Sequence, residues 1–148
     1  MNRTLRGIAV LVGLVMSSAC GSDTATSSAT PPRYLAVAGT YQVTGTFDQF
    51  TAAQAQVSGS VIFVQVSRDD ANLTGTSNIV ARIGTSVSTI TGVYAATIGD
   101  GGIVTFYVGA PGTSTWKFTG TASGNVITGT HRLADAVSAY SGPFSAVR

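Results

Sequence analysis

Residues 115–133 read Thr115-Trp116-Lys117-Phe118-Thr119-Gly120-Thr121-Ala122-Ser123-Gly124-Asn125-Val126-Ile127-Thr128-Gly129-Thr130-His131-Arg132-Leu133. Trp116, Phe118 and Gly120 fall on one side of a period-two repeat, and Lys117, Thr119 and Thr121 on the other. Such alternation gives a strand one apolar and one polar face. Ser123-Gly124-Asn125 then supplies a short turn before a second alternating run, so the stretch predicts a β-hairpin. Its central unit is an apolar residue, Thr or Ser, then Gly, often followed by Thr. The unit returns around Gly45, Gly59, Gly75, Gly92 and Gly142. The spacing is too uneven for a solenoid but suits strands joined by hairpins of varied length. Glycine inside a strand marks a bend or a close backbone approach, and a small curved barrel needs such points to close.

Eight strands are expected at about 39–47, 58–67, 71–78, 87–97, 102–109, 115–122, 126–133 and 139–147. Asp100-Gly101-Gly102, Ala110-Pro111-Gly112 and the Arg68–Asn72 segment supply further turns. Only Thr51–Gln56 has helical character, and it is too short to stand alone. Tyr41, Val43, Gly45 and Phe47 share one face of the first strand; Tyr140, Gly142, Phe144 and Ala146 share one face of the last. The opposite faces are Thr and Ser, as in an antiparallel sheet wet on one side. The expected fold is therefore all-β, a single antiparallel up-and-down barrel of about eight strands, which removes exposed edges. Val61–Val66 is apolar on both faces and marks a covered or contacting surface. A membrane-spanning barrel would need an apolar outer face with aromatic girdles, and Thr and Ser stand there instead.

The 148 residues include 21 Thr, 18 Gly and 16 Ser but no Glu, one Lys, one His and one Cys. This excludes a disulfide scaffold and argues against coiled coils and charged disorder. The N-terminus has its own character. Arg3 and Arg6 precede ten uncharged residues, Gly7–Met16, and the small residues Ser17, Ser18 and Ala19 lead to Cys20. A charged n-region, short apolar core and small-residue cleavage site predict an export signal over residues 1–19, too short to span a bilayer. Cys20 directly after the small residues resembles the lipobox of bacterial lipoproteins, although Ser17 stands where an aliphatic residue is usual. The resemblance implies diacylglycerol on the Cys20 thiol, palmitate-type acylation of the new N-terminus, and anchoring in the bacterial cell envelope. Gly21 rather than Asp after the cysteine is compatible with the outer membrane. The alternative is ordinary cleavage, leaving Cys20 as a free thiol. With Cys20, residues 20–33 read as a flexible tether (GSDTATSSATPP follows the cysteine), and 34–148 as the barrel domain. The formal charge of +2 belongs to the signal: beyond residue 19 six cationic side chains face six aspartates. A nucleic-acid partner is not expected.

Ala38-Gly39-Thr40-Tyr41, Phe118-Thr119-Gly120-Thr121, Asn125–Thr130 and the closing Gly142–Arg148 together resemble small exported bacterial proteins of lipocalin-like or avidin-like barrel type. The resemblance implies a barrel with a cavity and names no ligand. The Gly-x-Trp opening of true lipocalins is absent, since Tyr41 stands there.

Chemistry is sparse. His131 is the only histidine and points inward by alternation, as a cavity contact or a structural group. No nucleophile elbow, carboxylate pair or phosphate loop occurs, so neither enzyme activity nor a cofactor or metal is expected. Asp69-Asp70 beside Asn72 reads as a solvated turn rather than a cation site. Two functions remain open. In one, the barrel binds a small apolar or amphipathic ligand lined by Trp116, Phe118, His131, Tyr140 and Phe144. In the other, it is filled by its own side chains and acts through its surface as an envelope or protein-interaction module, its protein partner unspecified. An open or a filled interior separates them.

Overall fold

In the computed structural model, residues 30–109, 115–133 and 140–148 are described, the side chains of Tyr94 and Leu133 excepted. The expected signal, Cys20, the tether as far as residue 29 and the Ala110-Pro111-Gly112 turn lie outside them. The described strands are β1 Gly39–Thr46, β2 Ala55–Val64, β3 Asn72–Ile83, β4 Ser86–Thr91, β5 Val93–Ile98, β6 Ile103–Val108, β7 Trp116–Ser123, β8 Val126–Leu133 and β9 Ser141–Val147. All pairings are antiparallel, and β1 pairs with β2 on one side and β9 on the other. The ring β1-β2-β3-β5-β6-β7-β8-β9 is thus a closed eight-stranded barrel, with β4 outside it on β3.

The ninth strand is half of an expected one. Thr91 of β4 faces Asn78 of β3, and Ala96 of β5 faces Leu73. Five steps along one strand are five steps back along the other, so β4 and β5 keep one register against β3. Between them Gly92 takes φ +92°, where a side chain would be strained. A register shift between Val93 and Ala95 follows, and only from Val93 onward does the strand pair with β6. A bend with a bulge turns one half into the ring and leaves the other outside.

Other boundaries move for reasons of pairing. β2 begins at Ala55, inside the segment expected to be helical, because buried Ala55 finds Ile83 opposite. What remains before it is a turn in which Gln54 and Ala55 donate to the Thr51 carbonyl. β3 runs to Ile83 rather than residue 78, since β2 and β4 both offer it partners.

The interior follows the alternation. Val104, Gly120, Gly129, Phe144, Gly45 and Val57 form one inward row across neighbouring strands. Phe144 thus stands between two glycines, and its ring takes the volume that they vacate. In the next row Phe106, Phe118 and His131 stand side by side and Gly142 follows. Large beside small is how a narrow barrel fills without strain. The glycines also set backbone spacing. A Cβ on Gly129 would press into the Thr119 carbonyl, one on Gly75 into that of Ile62, and one on Gly142 into that of Thr46.

The chain enters at one end, here called proximal, where the β2–β3, β5–β6 and β7–β8 turns also lie. Tyr34 and Val37 are buried there. Tyr34 N donates to Arg68 O and Arg68 Nε to Tyr34 O, both at 2.8 Å, while Gln65 bonds the backbone at Leu35 and Val37. Arg148 closes the other flank. Its guanidinium donates to Ala38 O at 2.6 Å and Asn125 Oδ1 at 2.8 Å, and lies 5.7 Å from the Tyr41 ring centre. The distal end carries the β1–β2 and β3–β4 connections, the last residues of β6 and β8 and the first of β7 and β9.

Candidate functional site

The side chains with the most chemical character meet at the distal end. Trp116 and Phe118 come from β7, His131 from β8, Phe144 from β9, and Phe47 from the residue after β1. Phe47 lies 5.0 Å from His131 and 5.5 Å from Trp116, ring centre to ring centre. Phe118 lies 5.6 Å from His131 and 5.2 Å from Phe144. Tyr140 is half-buried at the rim, where it stacks on Phe50 at 6.1 Å and meets Phe47 edge-on at 6.4 Å. All five side chains expected to line a cavity therefore come together. Phe47 and Phe50 complete the group; Phe47 was legible by alternation with Tyr41, but Phe50 lies in a turn and carries no periodic signal.

The column continues inward. Phe118 stacks on Phe106 at 4.7 Å with the planes 4° apart, Phe106 meets Phe63 at 5.2 Å, and Phe63 meets Tyr41 at 5.8 Å. These rings run from the distal rim to the proximal end, and the column from Tyr41 to Trp116 is at most 5% exposed. Along this path the interior is occupied by the protein itself. An open groove of about 430 Å³ lies on the outer wall, lined by Thr44, Thr46, Gln56, Ser58, Pro143 and Ser145 among others.

His131 has a structural task that follows from register. Asp48 N donates to Ser141 O at 2.8 Å, so hydrogen-bonded pairs fall at every second position along the β1–β9 seam, Thr46 opposite Pro143 included. Proline has no N–H, and β9 cannot satisfy the Thr46 carbonyl there. The His131 Nε2–H donates to it at 2.9 Å instead. The imidazole reaches across Gly142, its cross-strand neighbour, and its Nε2 lies 3.2 Å from where a Cβ on Gly45 would be. A side chain at either glycine would crowd the imidazole or the seam. Burial pushes the His131 pKa below the ordinary value; the Thr46 bond and the Asp48 charge oppose this more weakly. The ring is therefore neutral at pH 7 with its proton on Nε2, and Nδ1 is buried without a partner. At the proximal end Tyr41 Oη is likewise buried and unpartnered. Burial raises the Tyr41 pKa, and Arg148 partly offsets the rise.

The Asp69-Asp70 turn is self-satisfied: Asp70 Oδ1 accepts from both N and Nδ2 of Asn72 at 2.9 Å. Among the described residues no group of three His, Cys, Asp or Glu could hold a metal ion. No family model, curated protein or solved structure matches the chain. Fold and site together define a closed eight-stranded antiparallel barrel, consistent with the lipocalin-like kind, with an aromatic column along its interior.

Proposed function

We propose that this is an exported bacterial lipoprotein of the cell envelope whose barrel acts through its outer surface, without catalysis, as a structural or protein-interaction module. In this reading residues 1–19 direct export, Cys20 carries the lipid that holds the chain to the outer membrane, and residues 21–33 are the tether. The aromatic column supports the surface role, because a ligand would have to displace rings packed 4.7–5.8 Å from one another. The anchor is supported by the order of charge, apolar run, small residues and cysteine in residues 1–20. A second reading, capture of a small apolar or amphipathic ligand, is favoured by one feature, the half-buried Phe50–Tyr140 stack at the rim, which Phe47 links to His131 with its unpartnered Nδ1.

Feeding expressing bacteria an alkyne-bearing palmitate analogue tests the anchor. Wild type takes up the label and partitions with membranes, and Cys20→Ser does neither. Equal labelling of the two removes the lipoprotein reading.

A further inference from the structure

Exposed aliphatic side chains are unevenly spread over the barrel. Leu35, Ile62, Val64, Val66, Ile103 and Val147 stand exposed at the proximal end, Val66 at 88%. Among the described residues Val87 on β4 is the one large aliphatic exposed elsewhere. Val64 ends β2 with Ile62 two residues before it, Val66 follows β2, Ile103 begins β6, Val147 ends β9 and Leu35 lies in the incoming chain. Apolar side chains grouped at one pole of a small protein mark a contact surface.

The incoming chain says what covers them. It joins the barrel at this pole, where Tyr34 and Val37 are buried. Fourteen peptide links separate Cys20 from the buried Tyr34, a reach of at most about 50 Å fully extended. A lipid on Cys20 would keep the proximal end within that distance of the bilayer, where a tether turns even weak contact into frequent contact. Local charge neither attracts nor repels: Arg33, Arg68 and Arg148 are matched by Asp69, Asp70 and Asp100, with Arg33 Nε 3.6 Å from Asp100. The contact is therefore apolar, and zwitterionic lipid suffices for it.

We propose that the proximal pole docks on the lipid surface to which the chain is tethered, with Val64 and Val66 entering the headgroup boundary and the distal rim facing away. This rests on the lipoprotein reading for its setting, and the test supplies the anchor chemically so that the two can fail separately. The mature chain, residues 20–148, is coupled through the Cys20 thiol to a maleimide lipid in phosphatidylcholine vesicles. Trp116 is kept, and Val66→Trp or Val87→Trp adds a second indole at the proximal or distal end. With dibrominated acyl chains, the added emission of Val66→Trp falls roughly two-fold or more, because a side chain at the headgroup boundary is within reach of the bromines. That of Val87→Trp stays unchanged, and Val64→Ser with Leu35→Ser restores the Val66→Trp emission. Equal quenching at both ends, or none at either, overturns the proposal; the second outcome leaves the aliphatic pole to a protein partner. Failure of Cys20 labelling in cells would remove the anchor without touching this result.

Discussion

His131 is the residue on which seam and core depend together. Its Nε2–H satisfies a carbonyl that Pro143 leaves without a donor, while its ring occupies the volume between Phe47 and Phe118. His131→Phe keeps the volume and removes the donor, so a part-buried acceptor loses its partner at a cost of up to about 1–3 kcal/mol. Urea denaturation at pH 7.5 measures it, and unchanged stability would show that the carbonyl has another partner. The sign of the pH dependence follows from burial. The unfolded chain takes up a proton near the ordinary histidine value of 6.5, and the folded protein resists until lower pH. Unfolding therefore gains a proton in that window, and this part of the stability is complete above 6.5 and lost as pH falls below it. Wild type weakens between pH 7 and 5 more steeply than His131→Phe; parallel curves would deny the imidazole this role. Alternation alone indicated that His131 points inward. What it bonds was not legible, because Thr46 is 85 positions away and the missing donor at Pro143 matters only once β1 and β9 are in register.

At the level of elements, the repeated glycines separate into two kinds that look alike in sequence. Gly92 bends a strand and has open space where a Cβ would be, while Gly75, Gly129 and Gly142 let neighbouring backbones approach. Gly129→Ala would drive a methyl group into the Thr119 carbonyl and towards Gly120 Cα, neither of which can swing away as a side chain could. Overpacking of this kind typically costs about 1–3 kcal/mol, and more where backbone must move. Gly99→Ala is the matched control: its φ is −104° and its Cβ would meet Ile103 O at an ordinary 3.7 Å. Denaturation midpoints should therefore rank wild type and Gly99→Ala together and Gly129→Ala well below them; equal midpoints would refute the close-approach account. The β7–β8 hairpin was readable because alternation and turn residues agree over one short stretch. The β4–β5 bend was not, since Gly92 sits in the same Ile-Thr-Gly context as Gly129 and only the ring's geometry decides which half of that strand joins it.

At the scale of the molecule, the choice between a barrel that encloses a ligand and one that encloses its own side chains is a question of volume. Period-two patterns say which residues point inward but not whether opposite walls meet. Here they meet, because glycines on β1, β7, β8 and β9 narrow the ring around Phe118 and Phe144. Trp116, 5% exposed and 5.5 Å from Phe47, reports on the distal end of this column. Its emission should stay constant in wild type across fatty acids, phospholipids and small aromatic molecules, since no ring has reason to move. Phe118→Ala removes the side chain that touches Phe106, His131 and Phe144, at a cost of about 3–5 kcal/mol, and leaves an apolar space. Dry engineered cavities of that sort accept benzene-sized molecules, so the variant's Trp116 emission should respond to benzene where wild type does not. A saturable response in wild type would mean that the column opens, and the rim formed by Phe50 and Tyr140 would then be its mouth.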